Sequence, residues 1–113
     1  MDTLVGPWLH SLLNKLQKRL QMDPRVRETL LILQEECAEV TQAVSKCFRF
    51  GLDNFKPGKP ATNAEHLEVE IGDVLAMIDI LVEQGIVDRE RLTAATAAKK
   101  LKLKQWSNIY ENA

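Results

Sequence analysis

Hydrophobic residues recur at helical spacing through most of the chain. Leucines at positions 9, 12, 13, 16 and 20 predict a first amphipathic helix over about residues 4–21. Asp23 and Pro24 then combine an N-cap residue with a proline at the first helical position. They predict a second helix from Pro24 to about Phe50, stopped by Gly51. No segment alternates between apolar and polar residues for long enough to predict a strand.

A polar stretch from Leu52 to Ala61 interrupts the helical pattern. It contains two prolines and a glycine, which predict a loop, and this loop carries Lys56 and Lys59. The residues from Thr62 to Glu65 have the capping-box pattern, so a third helix is expected to begin there.

The third helix is predicted to end near Gln84, where Gly85 provides a stop. Asp88 can cap a fourth helix that reaches roughly Ile109. The fold class is therefore all-α, a four- to five-helix bundle. A length of 113 residues indicates a single domain over residues 1–113, in which the first helix precedes a core at about 24–109.

The third helix is apolar on two sides. Val69, Ala76 and Ile80 lie nearly opposite its main apolar face. A helix that is apolar on two sides is buried on two sides, and a chain this short offers few partners. We therefore predict that the core is completed by oligomerisation, in a homodimer or homotetramer. The main face holds Leu67, Ile71, Val74, Leu75, Ile78, Leu81 and Val82.

Composition and charge limit the kinds of partner that the chain is expected to bind. The net charge is −1 and aromatic residues make up 5% of the chain, so neither a nucleic-acid polymer nor a membrane is an expected partner. The N-terminus shows no basic region followed by an apolar run, so no secretory signal is expected.

Cys37 and Cys47 lie ten residues apart on one predicted helix, roughly 15 Å at a rise of about 1.5 Å per residue. They are expected to be reduced, buried thiols in a cytoplasmic protein.

Two acidic clusters lie within these apolar helices. On a helical wheel Glu36 falls inside the apolar stripe of the second helix, Glu39 lies at its edge and Glu35 lies further round. Glu70 and Asp73 lie between the two apolar faces of the third helix. Ionised carboxylates in apolar surroundings either become neutral or bind a cation. Because oxygen ligands suit hard ions, the two clusters predict a Mg²⁺ site, with Mn²⁺ as an alternative.

Surface interpretations of the same residues stay open. Most acidic runs on helices are simply solvated. Lys46 can contact phosphate or form an ion pair with a nearby glutamate, and Lys99 can bind phosphate or extend past an apolar stem into water. His10 and His66 lack metal-ligand spacing with any cysteine or histidine and are not expected to bind a metal.

The paired motif, Glu35-Glu36-x-x-Glu39 followed by Glu70-x-x-Asp73, resembles that of the all-α nucleoside triphosphate pyrophosphatases, the MazG-like superfamily. The resemblance covers about Leu30 to Trp106. It implies Mg²⁺-dependent hydrolysis of an NTP or dNTP to the monophosphate and pyrophosphate. By position, it implies that Glu36, Glu39, Glu70 and Asp73 are metal ligands. Glu35 takes the place of the glutamate that orients or deprotonates the attacking water.

A later basic motif of that superfamily is only partly present, between Thr96 and Leu103. Lys99 matches it, but lysines stand where the motif has arginines, and Ala97 replaces an asparagine. A lysine offers a point charge where an arginine offers a two-pronged donor. The candidate phosphate contacts are therefore Lys46, Lys99 and Lys102.

Two other functions compete with the hydrolase. The first is a non-enzymatic helical adaptor that dimerises through the third helix. The second is a di-metal redox bundle of the ferritin type, which ranks low because that site requires Glu-x-x-His pairs and neither acidic cluster supplies a histidine.

Overall fold

The computed structural model describes residues 6–111, with side chains placed for 6–17 and 21–111. Four helices follow one another: α1 (Gly6–Leu20), α2 (Pro24–Phe50), α3 (Asn63–Glu83) and α4 (Arg89–Trp106). The described residues contain no strand, so the all-α prediction is confirmed. The predicted start of the first helix, at residue 4, lies outside the described range.

The helix α2 begins and ends where its local sequence predicts. The Asp23 side chain accepts a hydrogen bond of 2.8 Å from the backbone N–H of Arg25, and Pro24 occupies the first turn. At the other end Gly51 has a φ of +90°, and its N–H donates to the carbonyl of Cys47 at 2.9 Å. Because L-residues with side chains rarely adopt that φ, glycine allows the chain to leave the helix here.

The helix α3 opens with the predicted capping box. The Glu65 N–H donates to the Thr62 hydroxyl oxygen at 3.1 Å, and the Thr62 N–H donates to the Glu65 carboxylate at 3.2 Å. Its last residue is Glu83, and Gly85 follows with a φ of +72°. Both ends agree with the sequence.

The helix α4 ends earlier than predicted. It begins after Asp88, whose carboxylate accepts from the N–H of Arg91 at 2.9 Å, but it stops at Trp106 rather than near Ile109. The Ser107 hydroxyl donates to the carbonyl of Leu103 at 2.7 Å, and this bond satisfies one of the last free carbonyls of the helix.

The core of the molecule is a hairpin of α2 and α3, which pack along each other. Ala43 and Leu81 are almost fully buried between them, at 1% and 3% exposure. Near the far end of the hairpin, the Gln84 amide donates to the Thr29 hydroxyl at 3.0 Å. These contacts set the register in which the two acidic clusters face each other.

The outer helices leave this hairpin uncovered. No other pair of described helices packs side by side, and the radius of gyration is 22.0 Å, against about 13 Å for a compact chain of this size. The bundle is thus not closed within one chain. Several large apolar side chains in the outer helices are at least 40% exposed: Trp8, Leu12, Leu13, Leu16, Leu101 and Trp106.

Part of the predicted α3 core face is also open in the single chain. Ile71 and Leu75 are 42% and 55% exposed. They line a shallow groove of about 230 Å³ with Val74 of α3 and with Cys37 and Val40 of α2. Both cysteines are free, as predicted, but Cys37 is exposed. The prediction that both are buried is wrong for Cys37, because none of the described residues covers the groove, and Cys47 is half-buried.

A candidate metal centre between α2 and α3

Three carboxylates converge where α2 passes α3. Glu36, Glu70 and Asp73 can each offer one oxygen such that the three oxygens lie within 4.8 Å of one another. Residues three apart on a helix share a face, so Glu70 and Asp73 both point toward α2. Glu36 meets them because it lies in the stripe of α2 that faces α3. Glu36 and Glu70 are half-buried and Asp73 is exposed.

The other two acids of the first cluster lie beside this group. Glu35 and Glu39 are exposed, and neither belongs to the set of converging oxygens. Both are near enough for their charge to raise the pKa of Glu36. The structure thus brings together three of the four predicted metal ligands, with Glu39 close by, and it leaves Glu35 open to water.

The electrostatics of the cluster centre on Glu36. Its pKa is raised by partial desolvation first, and then by repulsion from Asp73, Glu70, Glu39 and Glu35. A carboxyl whose folded pKa exceeds its unfolded pKa favours the folded state at low pH, where it is protonated. That contribution is lost as the pH rises through the raised folded value. The raised pKa therefore implies that ionising Glu36 at neutral pH, without a cation, disfavours the folded state.

We expect Glu36→Gln to raise the melting temperature of the metal-free protein at neutral pH. The gain should shrink as the pH falls toward about 4, where an ordinary glutamate becomes protonated. Thermal melts in chelator across this pH range would measure it. The matched control is Glu68→Gln, an exposed acid of α3 outside the cluster. If the gain in melting temperature did not depend on pH, repulsion between the carboxylates would not be its cause.

A histidine adjoins the metal centre. His66 lies one turn before Glu70, and its Nε2 is 3.2 Å from Glu70 Oε1. The contact engages one oxygen of Glu70, and such partners commonly orient ligating carboxylates. His66 was not predicted to bind a metal, and its role beside a ligand was not predicted either. The i, i+4 spacing of the two residues was the available signal.

The three lysines predicted to contact phosphate lie in different parts of the structure. Lys46 lines a pocket of about 330 Å³ at the α2–α3 loop, and His66 lines the same pocket. Lys99 and Lys102 are exposed on α4, which does not pack along the hairpin. Of the three lysines, Lys46 is the one that shares a pocket with His66, the neighbour of Glu70.

The donor set fits a hard divalent cation. All three converging atoms are carboxylate oxygens, and their mutual repulsion is relieved by protonation or by a bound cation. Oxygen-only ligands favour Mg²⁺ or Mn²⁺ over Zn²⁺, which prefers sulfur and nitrogen. Glu36, Glu70 and Asp73 would hold such an ion, and Glu39 is near enough to extend the set.

Comparison with known families identifies a domain that spans α2, α3 and nearly all of α4. The family model described as the MazG nucleotide pyrophosphohydrolase domain matches residues 25–105. The chain belongs to the MazG family. The match contains both acidic clusters, and it supports a hydrolase of the pyrophosphohydrolase type. Comparisons with curated proteins and with solved structures gave no significant match.

The described helices were also searched for membrane spans. None of them is both long and apolar enough to cross a bilayer.

Proposed function

We propose that this MazG protein is a Mg²⁺-dependent nucleoside triphosphate pyrophosphohydrolase, which converts an NTP or dNTP and water to the monophosphate and pyrophosphate. The observation that carries the proposal is the convergence of Glu36, Glu70 and Asp73 within a domain matched to the MazG family. Mn²⁺ can replace Mg²⁺ in a site with these ligands.

Each acid has a role in this proposal. Glu36, Glu39, Glu70 and Asp73 hold the cation, which when bound neutralises phosphate charge and lowers the pKa of water. Glu35 is exposed next to them, and it takes a proton from the attacking water. The water oxygen bonds to the α-phosphorus, the bond from that phosphorus to the bridging oxygen breaks, and the bridging oxygen leaves with pyrophosphate.

The decisive test is a panel of NTPs and dNTPs assayed for pyrophosphate in the presence of Mg²⁺. We expect at least one to be hydrolysed, with the nucleoside monophosphate appearing in equal amount. Addition of chelator should stop the reaction. If no member of the panel is hydrolysed with Mg²⁺ or Mn²⁺, the non-enzymatic adaptor becomes the better account.

We also propose that the working protein is a homodimer or homotetramer. The open groove along α2 and α3 and the uncovered apolar faces of α1 and α4 need partners, and a second copy supplies matching ones. In such an assembly Lys99 and Lys102 from one copy can reach the metal centre of another.

Light scattering at micromolar concentration should therefore show an oligomer. A double change of Ile71→Glu and Leu75→Glu should shift it toward monomer, because charges placed in the groove would have to be desolvated on assembly. Glu28→Gln is the control because it changes an exposed residue on the side of α2 opposite Cys37, and it should leave the mass unchanged. A stable wild-type monomer would refute the assembly.

A further inference from the structure

The loop between α2 and α3 forms the roof of a pocket. Its walls come from the end of α2, the loop itself and the first turn of α3, and its volume is about 330 Å³. Backbone bonds fix the loop in place: the N–H of Asn63 donates to the carbonyl of Asn54 at 2.8 Å, and that of Ala64 donates to Leu52 at 3.0 Å. The Asn63 amide also donates to the Gly51 carbonyl at 2.8 Å.

Three lysines line this pocket, and none of the described residues that line it carries a carboxylate. Lys46 comes from α2, and Lys56 and Lys59 come from the loop. Among the described side chains, those of 6–17 and 21–111, the ion pairs within 4.0 Å join His66 to Glu70 and Arg89 to Asp79, so none of the three ammonium groups has an acidic partner there. Three unpaired cations around one concave surface attract a polyanion strongly, since the cavity limits screening by water.

The first turn of α3 also faces the pocket, and its positive dipole end adds to this field. Its amides are not free to bind a ligand. Those of Asn63 and Ala64 bond to the loop, and those of Glu65 and His66 bond to Thr62. Direct contacts to an anion therefore depend on the lysine ammonium groups.

The basic pocket adjoins the acidic metal centre through one side chain. His66 lines the pocket and also contacts Glu70, a member of the converging carboxylates, at 3.2 Å. A ligand that bridges the two sites would have one phosphate at the carboxylate cluster and further phosphates among the lysines. A nucleoside triphosphate has such a shape, with its phosphates in one row.

We propose that Lys56 and Lys59, together with Lys46, bind the β- and γ-phosphates of the substrate and hold the pyrophosphate that leaves. This inference rests on the proposed function and adds two residues to it. As the bond from the α-phosphorus to the bridging oxygen breaks, negative charge moves onto that oxygen and so onto the departing pyrophosphate. Ammonium groups already in position stabilise this charge without reorganisation.

The pocket also contains two aromatic rings, Phe50 and Phe55, which could instead stack on a nucleobase. One observation and one electrostatic argument favour phosphate. The Arg49 guanidinium lies 4.9 Å from the centroid of the Phe50 ring and occupies one of its faces. If a nucleobase occupied the pocket, the three ammonium groups would also have no anion to neutralise them.

The experiment compares Lys56→Gln/Lys59→Gln with a control, Lys15→Gln/Lys100→Gln, which makes the same charge change on exposed residues away from the pocket. For the pocket variant we expect the KM for the best nucleotide to rise about tenfold or more, as lost charge-assisted contacts imply. The inhibition constant of pyrophosphate should rise in parallel. The inhibition constant of the nucleoside monophosphate should stay unchanged. The control should match wild type in all three.

Two outcomes would overturn the inference while leaving the enzyme intact. The first is an unchanged KM and pyrophosphate inhibition in the pocket variant. The second is a pair of results: Phe55→Ala raises the inhibition constant of the monophosphate, and the lysine changes leave that of pyrophosphate unchanged. This pair would assign the pocket to the nucleoside. If wild type hydrolyses no nucleotide, calorimetry with tripolyphosphate decides separately. The subsite is supported if wild type and the lysine control bind tripolyphosphate and the pocket variant does not. It is refuted if wild type does not bind tripolyphosphate.

Discussion

Glu36→Gln is expected to abolish both Mg²⁺ binding and nucleotide hydrolysis. Glu36 is the α2 member of the converging carboxylates, and its charge faces Glu70 and Asp73 directly. A glutamine keeps one oxygen but removes the charge that balances the cation. We expect turnover to fall by at least about 1000-fold, since a catalytic metal ion contributes several kcal/mol and about 1.4 kcal/mol is a factor of ten.

Thermal melts provide an independent readout of this change. Millimolar Mg²⁺ or Mn²⁺ should raise the melting temperature of the wild-type protein by binding the folded state, and should not raise that of Glu36→Gln. Glu68→Gln serves as the control because it removes an α3 charge outside the cluster. An equal rise in wild type, Glu36→Gln and Glu70→Gln would place the metal elsewhere.

Glu35→Gln is expected to separate catalysis from metal binding. Glu35 is exposed and lies outside the converging oxygens, so it is free to hold a water molecule. Its loss should lower turnover by about 100-fold, the usual scale for removing a general base. The affinity for Mn²⁺, measured by calorimetry, should stay close to that of wild type.

The comparison of Glu35→Gln with Glu36→Gln tests the division of roles. If Glu35→Gln loses metal affinity as severely as Glu36→Gln, then Glu35 is a ligand and another group activates the water. If neither change affects turnover, the enzymatic function fails and the adaptor takes its place. Glu28→Gln, an exposed acid in the first part of α2, is the matched control for both.

Helix boundaries could be predicted because their causes are local. The capping contacts of Asp23, Thr62 and Asp88 involve residues two or three positions away, and Gly51 and Gly85 end helices through their own φ values. The end of α4 was wrong by three residues, for an equally local reason: the Ser107 hydroxyl bonds to the carbonyl four residues earlier.

The acidic site was predictable from periodicity, but its membership depended on packing. The spacing of Glu70 and Asp73 places both on one face of α3, and the wheel places Glu36 on the face of α2 that must be covered. Which oxygens meet depends on the register of the hairpin. In that register Glu36, Glu70 and Asp73 converge, and Glu39 lies beside them.

The sequence by itself determined the helices and the acids that face the hairpin, because these follow from short-range spacing along the chain, and its paired acidic motif carried the resemblance to the MazG-like superfamily. Tertiary structure alone brought Lys46, Lys56 and Lys59 together, since the path of the loop joins residues from different elements. The contact of His66 with Glu70 joins residues four apart on one helix, so their spacing allowed it and the structure selected the rotamers. It also left Ile71 and Leu75 open to solvent. A hydrophobic stripe requires burial, but its period cannot specify whether the covering surface belongs to the same chain or to another.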